Sequence, residues 1–162
     1  MAKISRMISS APKNYLTLAG LKAVKSELDY LKNVKRAEVA ERLERAVEFG
    51  DVAENSEYDA ALDEQALVEN RISYLESALN NPKIIENHQV SGIISIGSTI
   101  LVDIEGSRDE FTIVGKVEAD PAKKRISNES PLGLALIGAR DGDEVEVKAP
   151  GFSYKAKIVS VK

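Results

Sequence analysis

Two carboxylates near the middle of the chain, Asp51 and Glu54, have the residue type and the spacing to do chemistry. Three residues apart at a helix start, they lie on one side with Cβ atoms roughly 5–6 Å apart. Mg²⁺ usually takes one or two protein carboxylates and fills its remaining positions with water and substrate phosphate. The pair alone could hold such an ion only weakly. Presented to a site that already contains a metal and an RNA phosphodiester, it could complete a two-metal arrangement that activates a water and stabilises the leaving oxygen.

The same two residues also have a purely structural interpretation, which the sequence leaves open. An acid followed three residues later by Glu is typical of a capping box, in which Asp51 accepts from backbone N–H groups and Glu54 reaches back. The residues that complete the tip and its approach also fit an ordinary helix start, with turn formers, a first-turn acid and an aromatic predicted to pack on the seam. They are Asn55, Ser56, Glu57 and Tyr58.

The elements that must position the pair are two segments with helical periodicity, one on each side of it. Apolar residues recur mostly every three or four positions, which is typical of a coiled-coil seam. They are Leu21, Val24, Leu28, Leu31, Val34, Val39, Leu43 and Val47 before the pair, and Leu62, Val68, Ile72, Leu75 and Leu79 after it. Thr17 suits an N-cap, and Gly50 suits a helix C-terminus. We therefore predict an antiparallel coiled-coil hairpin over residues 17–81, with an arm of roughly 45 Å and an acidic tip at residues 50–57.

Charge supports pairing between these two arms. The first arm mixes bases with acids, whereas residues 51–81 carry eight acids against a single base, Arg71. Opposite charges across a hairpin favour pairing within the chain over pairing with a random partner, and each exposed pair contributes roughly 0–1 kcal/mol. We therefore expect a monomer.

The second half of the chain has a different pattern. Short β-branched runs at residues 98–105 and 110–116 predict two strands, and a third short strand is predicted at 125–127. Polar and apolar residues alternate in EVEVK at 144–148, which predicts another strand, and residues 153–161 are predicted to form the strand that runs back beside it. Ser130-Pro131 is a typical start for a short helix. The predicted fold is α+β: a long N-terminal coiled-coil hairpin, then a small antiparallel β-sheet domain with one short helix. The expected divisions are a flexible lead-in at residues 1–16, the coiled coil at 17–81, a connector at 82–90 and the globular domain at 91–162.

Composition excludes several classes of function. The chain has no cysteine and a single histidine, His88, which rules out disulfides, thiol chemistry and a histidine-based metal cluster. The net charge of −4 argues against wholesale wrapping of nucleic acid. No apolar run approaches the ~20 residues that span a bilayer, and the N-terminal stretch lacks a signal-peptide core. We expect a cytoplasmic protein with no membrane contact and no stably bound cofactor of its own.

The tip sequence GDVAENSEY, residues 50–58, resembles the tip motif of the bacterial Gre transcript-cleavage factors. The opening of the first arm is similar to that family as well. So are four stretches of the second half, residues 113–115, 118–120, 126–133 and 135–138. The resemblance runs from about Tyr15 to the C-terminus, and several motifs in the same order make it far more specific than D-x-x-E alone.

This resemblance implies a fold and a mechanism. Gre factors combine their coiled coil with an FKBP-like domain that docks at the rim of the secondary channel of bacterial RNA polymerase. On a backtracked complex the tip acids help to hold a second Mg²⁺ near the nascent RNA 3′ end, and the polymerase cuts its own transcript. By position, Asp51 and Glu54 would be that metal-related pair, with the Mg²⁺ shared only in the complex. The chain would then be a cofactor of the polymerase and not itself an enzyme.

A docking surface is expected in the globular half, at residues 127–134. Ser130-Pro131 predicts a loop of defined conformation beside the sheet, so this stretch could present a fixed surface to the polymerase. The residues expected to dock are Ser127, Ser130, Pro131 and Leu134.

Two departures from the family pattern bear on how the tip works. Ala53 stands where many members carry a polar or basic residue, and Val47 and Leu62 stand where some members carry arginine. The nearest bases are Arg42 and Arg45, and the sequence leaves open which way they face. The expected activity is therefore on short backtracked segments, the GreA-type behaviour, rather than on long ones.

Three other functions stay open at this stage. A Gre homologue could block the channel and inhibit the polymerase, although such inhibitors carry a denser acidic tip. An FKBP-like topology suggests a peptidyl-prolyl isomerase, but fold does not imply function, and this half offers only Phe111, Phe152 and Tyr154 as aromatic walls. In a plain coiled-coil adaptor, Asp51 and Glu54 would be caps only.

Overall fold

The computed structural model describes residues 14–48, 55–86 and 92–162, in which a long helical hairpin precedes a five-stranded sheet. The predicted α+β fold is confirmed. The helices are α1 Leu18–Tyr30, α2 Arg36–Glu48, α3 Ser56–Leu79 and α4 Pro131–Leu136. The strands are β1 Tyr15–Thr17, β2 Lys83–Ile85, β3 Thr99–Ile104, β4 Ser107–Val114, β5 Arg125–Ser127, β6 Glu144–Ala149 and β7 Phe152–Val161. Within these ranges, every helix is either too short or too polar to span a bilayer.

The first arm of the hairpin is a continuous helical rod with an irregular middle. Thr17 is its N-cap, as predicted, because the Thr17 Oγ1 accepts from the N–H of Gly20 at 2.9 Å. Between α1 and α2 the backbone forms a π-helical turn, Leu31–Lys35, where the N–H of Arg36 donates to the carbonyl of Leu31. Such a bond spans five residues instead of four, so the turn takes up one extra residue.

The seam of the hairpin explains why that extra residue is accommodated there. On the first arm the seam residues are separated by seven, eight and seven residues, and they are Val24, Leu31, Val39 and Ala46. On α3 the seam residues facing them are separated by seven residues each time, and they are Ala61, Val68 and Leu75. A heptad repeat keeps an apolar seam facing its partner helix. In a regular α-helix the eight-residue step would rotate the seam away from that partner. The π-turn absorbs the step, so α1 and α2 both face α3.

Three apolar residues that the periodicity predicted on the seam lie outside it. Val34, Val47 and Leu62 are 42%, 50% and 38% exposed. Val34 falls within the π-turn, and the buried alanines Ala46 and Ala61 occupy the seam beside the other two. Alanine carries little hydrophobic signal, so the pattern favoured its larger neighbour in each case.

Ion pairs run along both flanks of the seam and confirm the predicted attraction between the arms. One flank carries Arg71–Glu27, Lys35–Glu64, Arg42–Glu57 and Arg42–Glu64, and the other carries Lys32–Glu76 and Arg36–Glu69. Each exposed pair adds little stability. A shift in register would break all of them together, so the ladder specifies how the arms align.

The globular half is a sheet covered by α4. The strand order is β5-β4-β3-β7-β6, and neighbours are antiparallel except for β4 and β5, which are parallel. The short strand predicted at residues 125–127 and the Ser130-Pro131 helix start are confirmed. The buried core is aliphatic and consists of Ile94, Ile100, Val102, Ile113, Leu136, Val147, Ala156 and Ile158.

A short parallel pairing of β1 with β2 closes the base of the hairpin. It corrects two expectations, that Tyr15 and Leu16 belong to a flexible lead-in and that residues 83–85 belong to a connector. Leu16 is fully buried in a cluster with Val24 and Leu75. Asn81, with a φ of 61°, lies in the turn between α3 and β2. Three-residue strands carry too little alternation to be recognised in a sequence, and their partners here are far apart in the chain.

Candidate functional site

The candidate tip lies between the end of α2 at Glu48 and the start of the second arm at Asn55. Asp51 and Glu54 lie outside the described residues, as do Gly50 and Ala53. The described part of the tip consists of the two helix ends that this segment connects.

Asn55 ties those two helix ends together. Its Oδ1 accepts from the N–H groups of Glu57 and Tyr58 at 3.1 and 3.3 Å, which makes it the N-cap of α3. Its Nδ2 donates to the carbonyl of Ala46, near the end of α2, at 2.8 Å. One side-chain amide, with an acceptor and two donor protons, thus satisfies backbone groups that both helix ends leave open.

The position of this cap changes the interpretation of Asp51 and Glu54 as a capping box. That interpretation gave Asp51 the acceptor role at the start of the second arm, with Glu54 reaching back. The helix α3 begins instead at Ser56, and its N-cap is Asn55. The role predicted for Asp51 at that helix start therefore belongs to Asn55. The sequence suggested only an ordinary turn residue at this position, although Asn is a favoured N-cap type.

The other tip residues singled out from the sequence lie in the first turn of α3. Ser56 and Glu57 are exposed, and Tyr58 is half-buried. The Glu57 carboxylate is 3.8 Å from the guanidinium of Arg42 on the first arm. The helix dipole favours a negative charge at this position, so Glu57 stabilises the turn and also links it to the opposite arm.

A cleft with two arginines adjoins this turn. It has a volume of about 330 Å³ and is lined by Arg42, Arg45, Ala46, Asn55 and Glu57. Arg42 is held between Glu57 and Glu64. Arg45 lies 3.9 Å from Glu41 and leaves 60% of its side chain exposed. The structure therefore places both bases beside the tip, where guanidinium groups can contact phosphate oxygens.

Ion pairs near the tip shift the pKa values of their partners. The Lys35 ammonium donates to Glu64 at 2.7 Å and, with Coulombic attraction from Lys35 and Arg42, lowers the pKa of that carboxyl. The same hydrogen bond raises the pKa of Lys35. The two hydrogen bonds from Arg36 lower the pKa of Glu69 in the same way. Both carboxyls are therefore ionised at neutral pH and keep the arms paired.

The residues predicted to dock in the globular half form a fixed loop and helix start. Ser130 is the N-cap of α4, because its Oγ accepts from the N–H of Gly133 at 3.1 Å and donates to the carbonyl of Ser127 at 2.7 Å. A Cβ on Gly133 would lie 2.1 Å from that carbonyl oxygen. Pro131 is the first residue of α4, and Leu134 is 66% exposed. Ser127 and Ser130 thus build the loop, and Leu134 presents its side chain to solvent.

A metal site would depend on the two tip carboxylates. In the described ranges no group of three or more His, Cys, Asp or Glu side chains is arranged to hold a metal ion. Two carboxylates suit Mg²⁺ only when other ligands complete its octahedral shell. The donor set of Asp51 and Glu54 therefore fits an ion shared with a partner that brings ligands of its own.

Comparison with known proteins matches both halves of the chain. Residues 14–84 match the family described as "Transcription elongation factor, N-terminal", and residues 89–162 match "Transcription elongation factor, GreA/GreB, C-term". Proteins named "Transcription elongation factor GreA" from Thermoanaerobacter pseudethanolicus and Clostridium acetobutylicum are 49% and 44% identical to the chain. Those alignments cover 91% and 96% of this chain and 96% and 100% of the relatives. A solved structure named "Structure of the transcription factor Gfh1" has 28% identity and a TM-score of 0.47, covering 93% of this chain and 98% of its own.

Proposed function

This chain belongs to the GreA/GreB family of transcription elongation factors, and we propose that it stimulates RNA polymerase to cleave its own transcript. In this proposal the hairpin enters the secondary channel of a backtracked elongation complex. Asp51 and Glu54 then reach the polymerase active centre, beside the 3′ end of the nascent RNA. The polymerase performs the cleavage, and the chain acts as its cofactor.

One observation carries the proposal: the two helix ends at the tip are held against each other far from the globular half. The Nδ2 of Asn55 is 2.8 Å from the carbonyl of Ala46, and the first arm, Leu18 to Glu48, extends for roughly 45 Å. The six residues between the helix ends include both acids. A narrow rod with acids at its far end suits delivery into a deep channel.

The carboxylates have two tasks in the proposed reaction. Asp51 and Glu54 would contribute ligands to a Mg²⁺ shared with the polymerase, which when bound activates water and stabilises a leaving oxygen. Their remaining oxygens accept hydrogen bonds from the attacking water and orient it toward the phosphodiester. Arg42 and Arg45 line the adjacent cleft and would offset the charge of passing RNA phosphates.

We also propose the partners of the protein and its location in the cell. Its partners are bacterial RNA polymerase and the nascent RNA 3′ end, it acts in the cytoplasm, and one copy serves one channel. Val47 and Leu62 offer no positive charge near the tip, so Arg42 and Arg45 provide the grip on RNA. We therefore propose that short backtracked segments are the preferred substrates.

Transcript cleavage with purified polymerase tests the proposal. The variant Asp51→Asn/Glu54→Gln removes both charges, and Asp59→Asn/Asp63→Asn is a matched control that removes two exposed charges from the same arm. We expect the tip variant to lose stimulated cleavage by on the order of 100-fold while it still competes with the parent protein for polymerase. The control should cleave at the parent rate.

Two results would contradict the proposal. Normal cleavage by the tip variant would reduce Asp51 and Glu54 to structural residues. Inhibition of elongation by the parent protein with no release of a 3′ fragment, across a Mg²⁺ titration, would identify a channel blocker instead.

A further inference from the structure

A carboxylate from the globular half is buried at the base of the hairpin. Glu118 is 7% exposed and ends a short 3₁₀ turn, Lys116–Glu118. Its Oε1 accepts from the N–H of Thr17 at 2.6 Å, and its Oε2 accepts from the Thr17 hydroxyl at 2.9 Å and from Nη2 of Arg125 at 2.5 Å. Thr17 and Glu118 are 101 residues apart in the chain. The contact therefore joins the hairpin to the sheet.

This arrangement is a capping box divided between the two halves of the molecule. In an ordinary capping box the N-cap Ser or Thr accepts from the N3 N–H, and a Glu at N3 reaches back to the N-cap N–H. Thr17 is the N-cap of α1 and accepts from the N–H of Gly20, which places Gly20 at N3. Gly20 has no side chain to complete the box, and Glu118 supplies the carboxylate instead.

The position of the Glu118 carboxylate requires a glycine at residue 20. A Cβ on Gly20 would lie 1.9 Å from Cδ of Glu118 and 2.1 Å from its Oε1. Any side chain at this position would therefore displace the carboxylate. Glycine is a poor helix former, and its presence in the first turn of a long helix is explained by the carboxylate that occupies the space beside it.

We propose that Glu118 is a positioning residue that fixes the direction in which the hairpin leaves the sheet. Its carboxylate faces the oriented N–H groups at the start of α1, and Arg125 on β5 holds the same carboxylate from the sheet side. Because the bonds on both sides end on one buried group, α1 cannot swing without breaking them. The consequence for transcript cleavage rests on the function proposed above, whereas the geometric role does not.

A cap that only stabilises α1 is the competing explanation, and the chain offers a way to separate the two. Glu118→Ala removes the cap and the link together. Adding Gly20→Glu to Glu118→Ala returns a carboxylate to N3 of the helix, where it can reach back to the N–H of Thr17 as in an ordinary capping box. The double variant thus restores the cap without restoring the link.

The test measures the direction of the hairpin in the full-length chain. The sequence has no cysteine, so Asn70→Cys on α3 and Lys148→Cys on β6, both at exposed positions, provide one spin-label pair across the joint. Pulsed dipolar spectroscopy gives the distribution of distances between the labels. Thermal unfolding of the same proteins, followed by circular dichroism, reports the stability of the cap.

We expect a narrow distance distribution in the parent pair and one about twofold broader in Glu118→Ala. The melting temperature should fall in Glu118→Ala and recover in the double variant, while the distribution of the double variant stays broad. A narrow distribution in both variants, or recovery of both readouts together, would overturn the proposal. Should Glu118→Ala fail to fold, Glu118→Met nearly keeps the side-chain volume but lacks the carboxylate that bonds Thr17 and Arg125, and the width of its distance distribution decides the question in the same way.

Cleavage assays distinguish failure of this inference from failure of the proposed function. A hairpin that samples many directions has a smaller fraction able to enter the channel. The concentration of Glu118→Ala that gives half-maximal cleavage should therefore rise by about fivefold with an unchanged plateau. If the parent protein stimulates no cleavage, the proposed function fails, and the distance distributions still decide the role of Glu118.

Discussion

Asn55 gives the tip much of its geometry through a single side chain. Its acceptor oxygen caps α3, and its donor nitrogen holds the carbonyl of Ala46 on α2. The first bond is what an N-cap residue type before a helical pattern predicts. The second bond spans the tip, and it depends on where the end of α2 lies, which no local pattern in the sequence encodes.

Replacing Asn55 with Asp separates these two bonds. Asp caps helices as well as Asn does, but an ionised carboxylate has no proton to donate to the Ala46 carbonyl. We expect Asn55→Ala to lower the free energy of unfolding by about 1–2 kcal/mol and Asn55→Asp by less than about 1 kcal/mol, measured by urea denaturation. Stimulated cleavage should fall severalfold in both variants. Parent-level cleavage by Asn55→Asp would show that the Ala46 bond does not contribute to the tip.

Residue type and spacing were enough to select Asp51 and Glu54 as candidates, and their role stays a prediction. The same reasoning could not select Glu118. Its partner Thr17 is 101 residues away, and an isolated acid in a loop is usually exposed. Gly20 is the one local signal of this contact, because glycine is a poor helix former and is unexpected in the first turn of a long helix. What fills its space is known only from the fold.

Among the elements, the π-turn Leu31–Lys35 determines whether the two helices of the first arm share one seam. It absorbs the eight-residue step between Leu31 and Val39. Deleting the exposed Asn33 should convert that step to seven and the π-turn to regular α-helix. We expect this deletion to change the free energy of unfolding by less than about 1 kcal/mol in urea denaturation, because the seam stays aligned.

A deletion elsewhere in the same arm provides the control. Removing the exposed Lys25 from α1 shortens a step that is already seven residues, so the seam beyond it rotates away from α3. We expect a loss of about 3 kcal/mol or more, as for other disruptions of a packed core. Equal effects of the two deletions would show that the π-turn does not correct the register.

The ion-pair ladder makes the hairpin sensitive to acid. The pKa values of Glu64 and Glu69 are lowered in the folded chain by hydrogen bonds from Lys35 and Arg36. The stabilisation is therefore fully present above the ordinary value of 4.5 and is lost as the pH falls through the lower folded values. We expect the helical melting temperature to drop between neutral pH and about pH 3, with a smaller drop in Glu64→Gln. An equal drop in that variant would exclude Glu64 as a contributor.

At the scale of elements, the sequence could predict those with strong periodicity and missed those whose identity depends on a distant partner. The hairpin, the strand at residues 125–127 and the helix after Ser130 were all visible in the pattern. The strands β1 and β2 were not, because three residues show little alternation and parallel pairing requires the chain to return from α3. Seam alanines were also missed, since a methyl group adds little to a hydrophobic pattern.

At the scale of the whole molecule we propose two working surfaces, the tip and the exposed face of α4 at Leu134, and the second can be tested independently. Leu134 is 66% exposed, and Phe152, at the start of β7, is 65% exposed. We expect Leu134→Ser to weaken polymerase binding by about tenfold, because a docking surface would lose an apolar anchor, and the matched Phe152→Ser to leave it unchanged. Competition with labelled parent protein measures both. Equal affinities for the two variants would move the docking surface away from α4.

A rod fastened at one end magnifies every rotation of its base. For a first arm of roughly 45 Å, a rotation of about 1° at Thr17 displaces the far end by about 0.8 Å. Groups that take part in a reaction must be placed to within about 0.5 Å. A stiff joint at the base therefore sets the direction of the rod but cannot by itself place the tip to that accuracy. In the proposed function the channel walls must supply the final guidance, and surfaces along the length of the rod become as important to accuracy as its two ends.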